Sequence, residues 1–371
     1  MHYFEFAEKD ATLYEASASL NSGLDEVLEI RKDVSDTGAT VDVSRILIKF
    51  DLSFISSSVS SGAITNPKYY LNLFDAKPTA LATSQSLQAY PVSQSWTMGD
   101  GRSYDNPITD EGCSWNYRFG SLNGQRWSAV SSSGGTWFTG AGYEASQSFG
   151  HKTRDMRMEV TDIVNKWLDT TIPNEGFIVK RSGSVGNTDS NTDEGSTTLL
   201  GNFSFFSSDT HTKYPPTLEV EWDDSSWNTG SLSALTSTEL EDMTIYMKGL
   251  RPEYNQKSKA KFRLVGKARF PAKTYSTTPA DLTVKYLPSG STTGDGTFYS
   301  ICDAETDDVV VPYGSGSKVS LDSTGNYFNL WLDGYQPERY YTLKYKVVSG
   351  SGTTDETQQY FDEGFTFKVT L

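Results

Sequence analysis

Cysteine is scarce in this sequence: Cys113 and Cys302 are the two thiols in 371 residues. They fall in different expected domains, so no disulfide framework is expected and both read as free, buried thiols. Histidine is nearly as rare, at His2, His151 and His211. None of the three has a Cys, His or Glu at metal-ligand spacing, which leaves zinc chemistry and Ser-His-Asp catalysis without a sequence basis. Nowhere do about 18 apolar residues run together, so no membrane span is expected. Met1 to Glu5 has neither the basic start nor the apolar run of an export signal. Basic residues are outnumbered, 32 Lys and Arg against 47 Asp and Glu, for a net charge of −15. A chain of that sign repels phosphate backbones, so nucleic acid is not an expected partner.

What the chain does have is Tyr (21) and Phe (19) among many Ser, Thr and Gly residues, a mix that suits twisted sheets joined by polar loops. Ser44–Ser53 alternates Ile46, Ile48, Phe50 and Leu52 with Leu47, Lys49 and Asp51, the pattern of a strand with one buried face. Strands are also expected over Leu24–Val34, Tyr69–Phe74, Leu87–Val92, Phe203–Phe206 and Leu218–Trp222, with a polar turn over Ser56–Pro67. Met158–Lys180 breaks the pattern. Val160, Ile163, Val164, Trp167 and Leu168 share one helical face, with Thr161 as the expected N-cap and Asp162 in the first turn. Pro173 to Gly176 is turn chemistry, and Phe177-Ile178-Val179 is a short buried strand. Residues 1–223 read as one domain, 224–241 as a Ser/Asn/Gly-rich linker, and 242–371 as a second domain. The second starts at Met243–Leu250 and has strands at Tyr327–Leu332, Tyr340–Val348 and Phe365–Leu371, the last two with clear alternation.

Four features invite a chemical reading. Gln94–Gly142 is too long for an ordinary hairpin loop and concentrates Trp96, Trp115, Tyr117, Trp127 and Trp137. Aromatic faces stack on sugar rings, and they also fill cores and interfaces, so these five are candidate glycan-binding or interface residues against a packing alternative. Asp189–Glu194 is an oxygen-rich loop that fits a calcium ion or simply solvent; it does not have the EF-hand pattern. The many carboxylates, Glu219 and Glu221 among them, read as the solvated faces of strands and loops rather than a glycosidase pair. The basic run Lys257–Lys273 alternates with Phe262, Leu264 and Val265, which reads as the outer face of a strand or a contact with an acidic neighbour.

Three blocks together resemble a known family: SRILIKFDLS (Ser44–Ser53), VTDIVNKWLDTTIPNEGFIVK (Val160–Lys180) and NFSFFSSDTHTKYPPTLEVEW (Asn202–Trp222). In order and spacing they are similar to the DNRLRE-type, disaggregatase-related domain, a carbohydrate-binding-module-like β-sandwich. The resemblance covers roughly residues 8–223. Members occur in cell-surface proteins, polysaccharide-degrading enzymes and structural proteins of large tailed phages. The chain departs from that family in its expanded Trp/Gly segment, where Ser114-Trp115-Asn116 alone keeps the family's short core. In LDGYQPERYYTLKYKVV, Tyr335, Pro337 and Tyr341 resemble the tyrosine-corner motif of fibronectin type III and immunoglobulin-like domains. The implied fold is all-β: a jelly-roll-like β-sandwich with one short helix, followed by an Ig/fibronectin type III-like β-sandwich. The implied function is a non-enzymatic structural protein of a tailed-phage virion, in the tail, baseplate, neck or fibre, with other virion proteins and further copies of itself as partners and no cofactor. A chain that looks extracellular without an export signal fits a particle assembled in the host cytoplasm and released by lysis. The alternative is a carbohydrate-binding module or adhesin for host-surface polysaccharide, with a polysaccharide-degrading enzyme as a third class.

Overall fold

Nearly every alternating stretch of the sequence forms a strand in the computed structural model, which describes residues 1–35, 41–77, 84–120, 124–128, 134–150, 155–183, 190–270, 284–288, 294–352, 354 and 356–371. Two compact units result. The N-terminal unit comprises Phe4–Ser61 and Lys68–Val220; the C-terminal unit comprises Met1–Tyr3, Gly62–Pro67 and Glu221–Leu371. The protein is all-β, built from antiparallel sheets in sandwich arrangements.

In order, the first strands are β1 (His2–Tyr14), β2 (Val27–Val34), β3 (Val41–Phe50), β4 (Lys68–Leu73), β5 (Gln85–Pro91), β6 (Tyr117–Phe119), β7 (Gln125–Arg126), β8 (Ala145–Phe149), β9 (Met156–Glu159), β10 (Phe177–Lys180), β11 (Gly201–Phe206) and β12 (Thr217–Glu221). They join in the order β8-β5-β10-β3-β1-β12-β4-β9, while β2 pairs with both β3 and β11. The centre of the sheet is β3. Leu47 lies opposite Ala11 of β1 on one side and Ile178 of β10 on the other. The one-sided burial expected of this strand does not hold: every residue from Val43 to Ile48 is buried, Arg45 included. Alternation by hydropathy misses this because the second face is covered around a charged side chain, whose partners come from far along the chain.

The expected helix is present as Thr161–Leu168, with Ile163, Val164 and Trp167 buried. Thr161 is not its N-cap. Val160 holds that place without a side-chain cap, and the Thr161 hydroxyl instead accepts the Tyr69 N–H of β4 at 3.1 Å. The helix is thereby tied to the sheet, and Trp167 meets Phe177 of β10 edge-on with centroids 4.6 Å apart. Beyond this one expected helix, two more occur among the described residues. Ser53–Ser60 is a helix in place of the expected turn, its Ile55 and Ser58 buried; serine-rich composition hides it, because serine favours caps and turns. Ser237–Glu241 opens on a capping box, with Thr236 and Glu239 serving each other's backbone N–H. Its T-x-x-E signature is readable in the sequence.

The C-terminal unit contains β13 (Met243–Lys248), β14 (Glu253–Asn255), β15 (Lys259–Ala268), β16 (Gly296–Asp303), β17 (Val309–Val311), β18 (Ser320–Asp322), β19 (Gly325–Trp331), β20 (Arg339–Ser349) and β21 (Thr357–Thr370). These form two sheets, β13-β15-β19-β18 and β14-β21-β20-β16-β17. Between them lies an aromatic core: Phe328 stacks on Phe262 at 5.3 Å and on Tyr299 at 4.2 Å, and Phe367 meets Phe262 at 5.2 Å. The Tyr341 ring is buried and its hydroxyl donates to the Gln336 carbonyl at 3.3 Å, the geometry of a tyrosine corner. Residues 224–241 are held within this unit. The Asn228 N–H donates to the Leu321 carbonyl at 3.0 Å, and Leu235 is buried.

Candidate functional site

The expanded Trp/Gly segment is organised around a residue that does not belong to it. Asn21, wholly buried, donates from Nδ2 to the carbonyls of Met98 (2.6 Å) and Cys113 (2.8 Å). Its Oδ1 accepts the Gly101 N–H at 2.8 Å and the Gly23 N–H at 3.3 Å. Glycines are needed where the loop closes on this amide. A Cβ on Gly99 would lie 2.4 Å from Asn21 Oδ1, and one on Gly112 would lie 2.5 Å from Asn21 Nδ2; both residues also have positive φ, +85° and +113°. Sequence reasoning misses Asn21, which sits in what looks like an ordinary polar loop. The signal that could find it is the run of glycines at 99, 101 and 112, a density that calls for a close-packed polar group.

The five candidate aromatics separate into two groups. Trp96, Trp115 and Trp127 are 2%, 5% and 2% exposed. They share one core cluster with Leu13, Leu47 and Ile178, and their faces are covered by protein. Trp96 donates to the Glu175 carbonyl at 2.9 Å and Trp127 to the Ser114 carbonyl at 3.0 Å, so the two indole N–H groups are satisfied internally. Trp137 is half-buried beside Tyr90, with ring centroids 6.0 Å apart. Tyr117 is half-buried under Arg126, whose guanidinium lies 4.8 Å from the ring.

Trp115 and Trp137 flank a buried ion cluster that no local pattern of residues announces. The Arg45 guanidinium sits 4.7 Å and 5.1 Å from their ring centroids. It donates twice to Glu194, from Nη2 at 2.7 Å and from Nε at 3.1 Å, and once to the Gly134 carbonyl at 2.8 Å. Lys180 Nζ lies 3.1 Å from the same carboxylate, and all three side chains are 0% exposed. Burial pushes Lys180 down to about 8, although the Glu194 charge pulls it up. Both Glu194 oxygens are therefore committed to cations, which removes this residue from the oxygen-rich loop read as a calcium candidate; Asp189 of that loop lies outside the described residues.

One open feature among the described residues of the segment is a groove of about 880 Å³ beside the Asn21 platform. Asp100, Asp110, Glu111, Phe119, Gly124 and Gln125 are among the residues that line it. None of the five candidate aromatics lines it. Three carboxylates with a phenyl face and an amide make a surface suited to hydroxyl-rich or cationic ligands, and hostile to polyanions.

Elsewhere the expected surface charges are partly internal. Glu219, expected on a solvated face, is 2% exposed; it accepts from Arg157 at 2.8 and 3.0 Å because β12 is an interior strand of the sheet. The basic run is an outer strand face. Arg263 donates to Asp322 at 2.8 and 3.0 Å, holding that carboxyl well below its usual range, and Lys261 lies over Tyr327. Residues 271–273 of the run, like His151, lie outside the described residues. Both cysteines are free and buried, and burial pushes the Cys113 thiol up to about 12. No helix among the described residues is long and apolar enough to cross a membrane. Compared with known proteins, the chain matches no family model and no curated protein.

Proposed function

We propose that this chain is a non-enzymatic structural protein of a tailed-phage virion, acting through protein–protein assembly with other virion proteins and with further copies of itself. The observation that carries the assembly reading is the outer face of the five-stranded sheet in the C-terminal unit. Tyr340 and Tyr360 stand out from it, 51% and 62% exposed, on adjacent strands β20 and β21. Lys368 lies over the Tyr340 ring and pairs with Glu338, and Lys346 lies over the Tyr360 ring; on the same strand as Lys346, Lys344 bridges Asp307 (2.6 Å) and Asp362 (3.2 Å). Ordered, exposed tyrosines on a rigid sheet are the residue type that anchors protein interfaces. The virion setting rests on the three sequence blocks and their resemblance. Crosslinking and mass spectrometry of purified native particles tests both parts: the chain should be recovered with crosslinks from its β20–β21 face to a neighbour. Particles that lack the chain would overturn the reading.

A second reading, glycan binding, is favoured by the open groove rather than by the tryptophans. A glycan array with the full chain, repeated on Gln125→Ala together with Phe119→Ala, separates the two readings. Loss of a specific glycan signal in the double variant would support the groove. An array with no signal would leave assembly as the function.

A further inference from the structure

Asp10 lies within β1 and is 1% exposed, a placement that costs a carboxylate heavily unless its charge is answered. Its Oδ2 accepts the Ser208 N–H at 2.7 Å, while its Oδ1 is buried with no hydrogen-bond partner. Asp209, the next residue of that loop, shows the same defect. Its Oδ2 is also buried and unpartnered, and its N–H is taken up by Ser207 Oγ at 3.1 Å. The charge acting on Asp10 is that of Asp209, which is of the same sign. Glu26 adds another negative field at Asp209, opposed by Arg102 and His211, and Cys113, which feels the Asp10 charge, is a buried thiol. The Ser208 bond brings the backbone next to Asp209 against Asp10; native proteins seldom leave buried carboxyl oxygens unanswered on two such neighbours, and a bound ion is a standard reason when they do.

We propose that Asp10 Oδ1 and Asp209 Oδ2 are ligands of a calcium ion that pins the Ser207–Thr212 turn to β1 in the N-terminal unit. Calcium is the hard, oxygen-seeking ion for two carboxylates in a turn of sequence Ser-Ser-Asp-Thr-His-Thr, whose hydroxyls and carbonyls offer further oxygens. A single proton would cancel one of the two charges; a divalent cation cancels both.

The test is calcium titration of the EDTA-stripped full chain at pH 8, by calorimetry and by thermal melting. Saturable binding and a raised melting temperature of the N-terminal unit are expected. Asp209→Asn should weaken binding by at least about tenfold, since loss of even an outer-shell partner costs that much. Asp193→Asn, in the other oxygen-rich loop, should change nothing. No heat and no melting shift at millimolar calcium would overturn the proposal. So would binding that survives Asp209→Asn undiminished, or binding abolished by Asp193→Asn. Asp10→Asn is the companion variant. Its side chain lies in the interior, so if that variant does not fold, the half-buried Asp209 decides the matter alone.

Discussion

Replacing Glu194 by Gln keeps the shape of the side chain and removes the carboxylate that meets both Arg45 and Lys180. Two cations are then left at 0% exposure without that counter-charge. Breaking a buried pair by removing one partner typically costs about 3–5 kcal/mol, because the remaining charge stays desolvated. Trp115 and Trp137 offset part of that for Arg45 through their ring faces, which puts the expected loss near the middle of the range. Five of the eight tryptophans, at 96, 115, 127, 137 and 167, lie in the N-terminal unit, so indole fluorescence follows its unfolding. With a urea slope of about 2.5–3 kcal/mol per molar for a unit of this size, the midpoint should fall by about 1.5 M. The deficit should also depend on pH. Without Glu194 the Lys180 ammonium loses the charge that supports it, gives up its proton more readily, and the variant's deficit should be larger at pH 6 than at pH 9. Glu159→Gln is the control: its pair with Lys68 spans 3.8 Å with both side chains half exposed, and it should cost no more than about 0.5 kcal/mol. A loss below about 1 kcal/mol for Glu194→Gln would contradict this account, since it would mean that the two side chains reach water.

Asn21→Ala removes the hydrogen-bond partners of the Met98 and Cys113 carbonyls and the Gly101 N–H; it should cost about 2–3 kcal/mol and open residues 98–113 to limited proteolysis, read by mass spectrometry of the fragments. Trp167→Ala takes a 6%-exposed ring away from Phe177 and should cost the N-terminal unit about 3–5 kcal/mol in urea unfolding. In EDTA, Asp10 gives a pH signature of fixed sign. Its carboxyl holds a proton to about 7 in the fold, against 3.8 as the ordinary value, so between those values the folded chain binds the extra proton and the N-terminal unit loses stability as pH rises. The full excursion is about 4 kcal/mol, and Asp10→Asn should flatten it in denaturation midpoints measured from pH 4 to pH 7.5.

Strands and their approximate limits are readable from the sequence because period-two alternation is local: it marks β3, β20 and β21 directly, and helical spacing marks Ile163, Val164 and Trp167. The missing parts depend on residues far apart in sequence. Arg45 and Glu194 are 149 residues apart and meet through a 2.7 Å contact; nothing near either one marks it as buried. Thr161 fits the N-cap preference, yet its hydroxyl serves Tyr69, 92 residues away. Local preference loses there to a strand N–H that needs an acceptor.

The tryptophans show why residue type alone could not find the site. Stacking on a sugar and filling a sandwich core call for the same flat apolar ring, so Trp96, Trp115 and Trp127 look alike as ligands and as packing. What separates the two is whether the indole N–H is used inside. Trp96 and Trp127 spend theirs on backbone carbonyls, and Trp115 lies against a buried guanidinium. The rings make the segment rigid, and the glycines let its loops close on Asn21. The surface left open to a ligand is then the polar rim that those two devices hold in shape: Asp100, Asp110, Glu111 and Gln125 around Phe119. A loop this long can present such a rim only if its interior is fixed, which is why its most conspicuous residues are the ones turned inward.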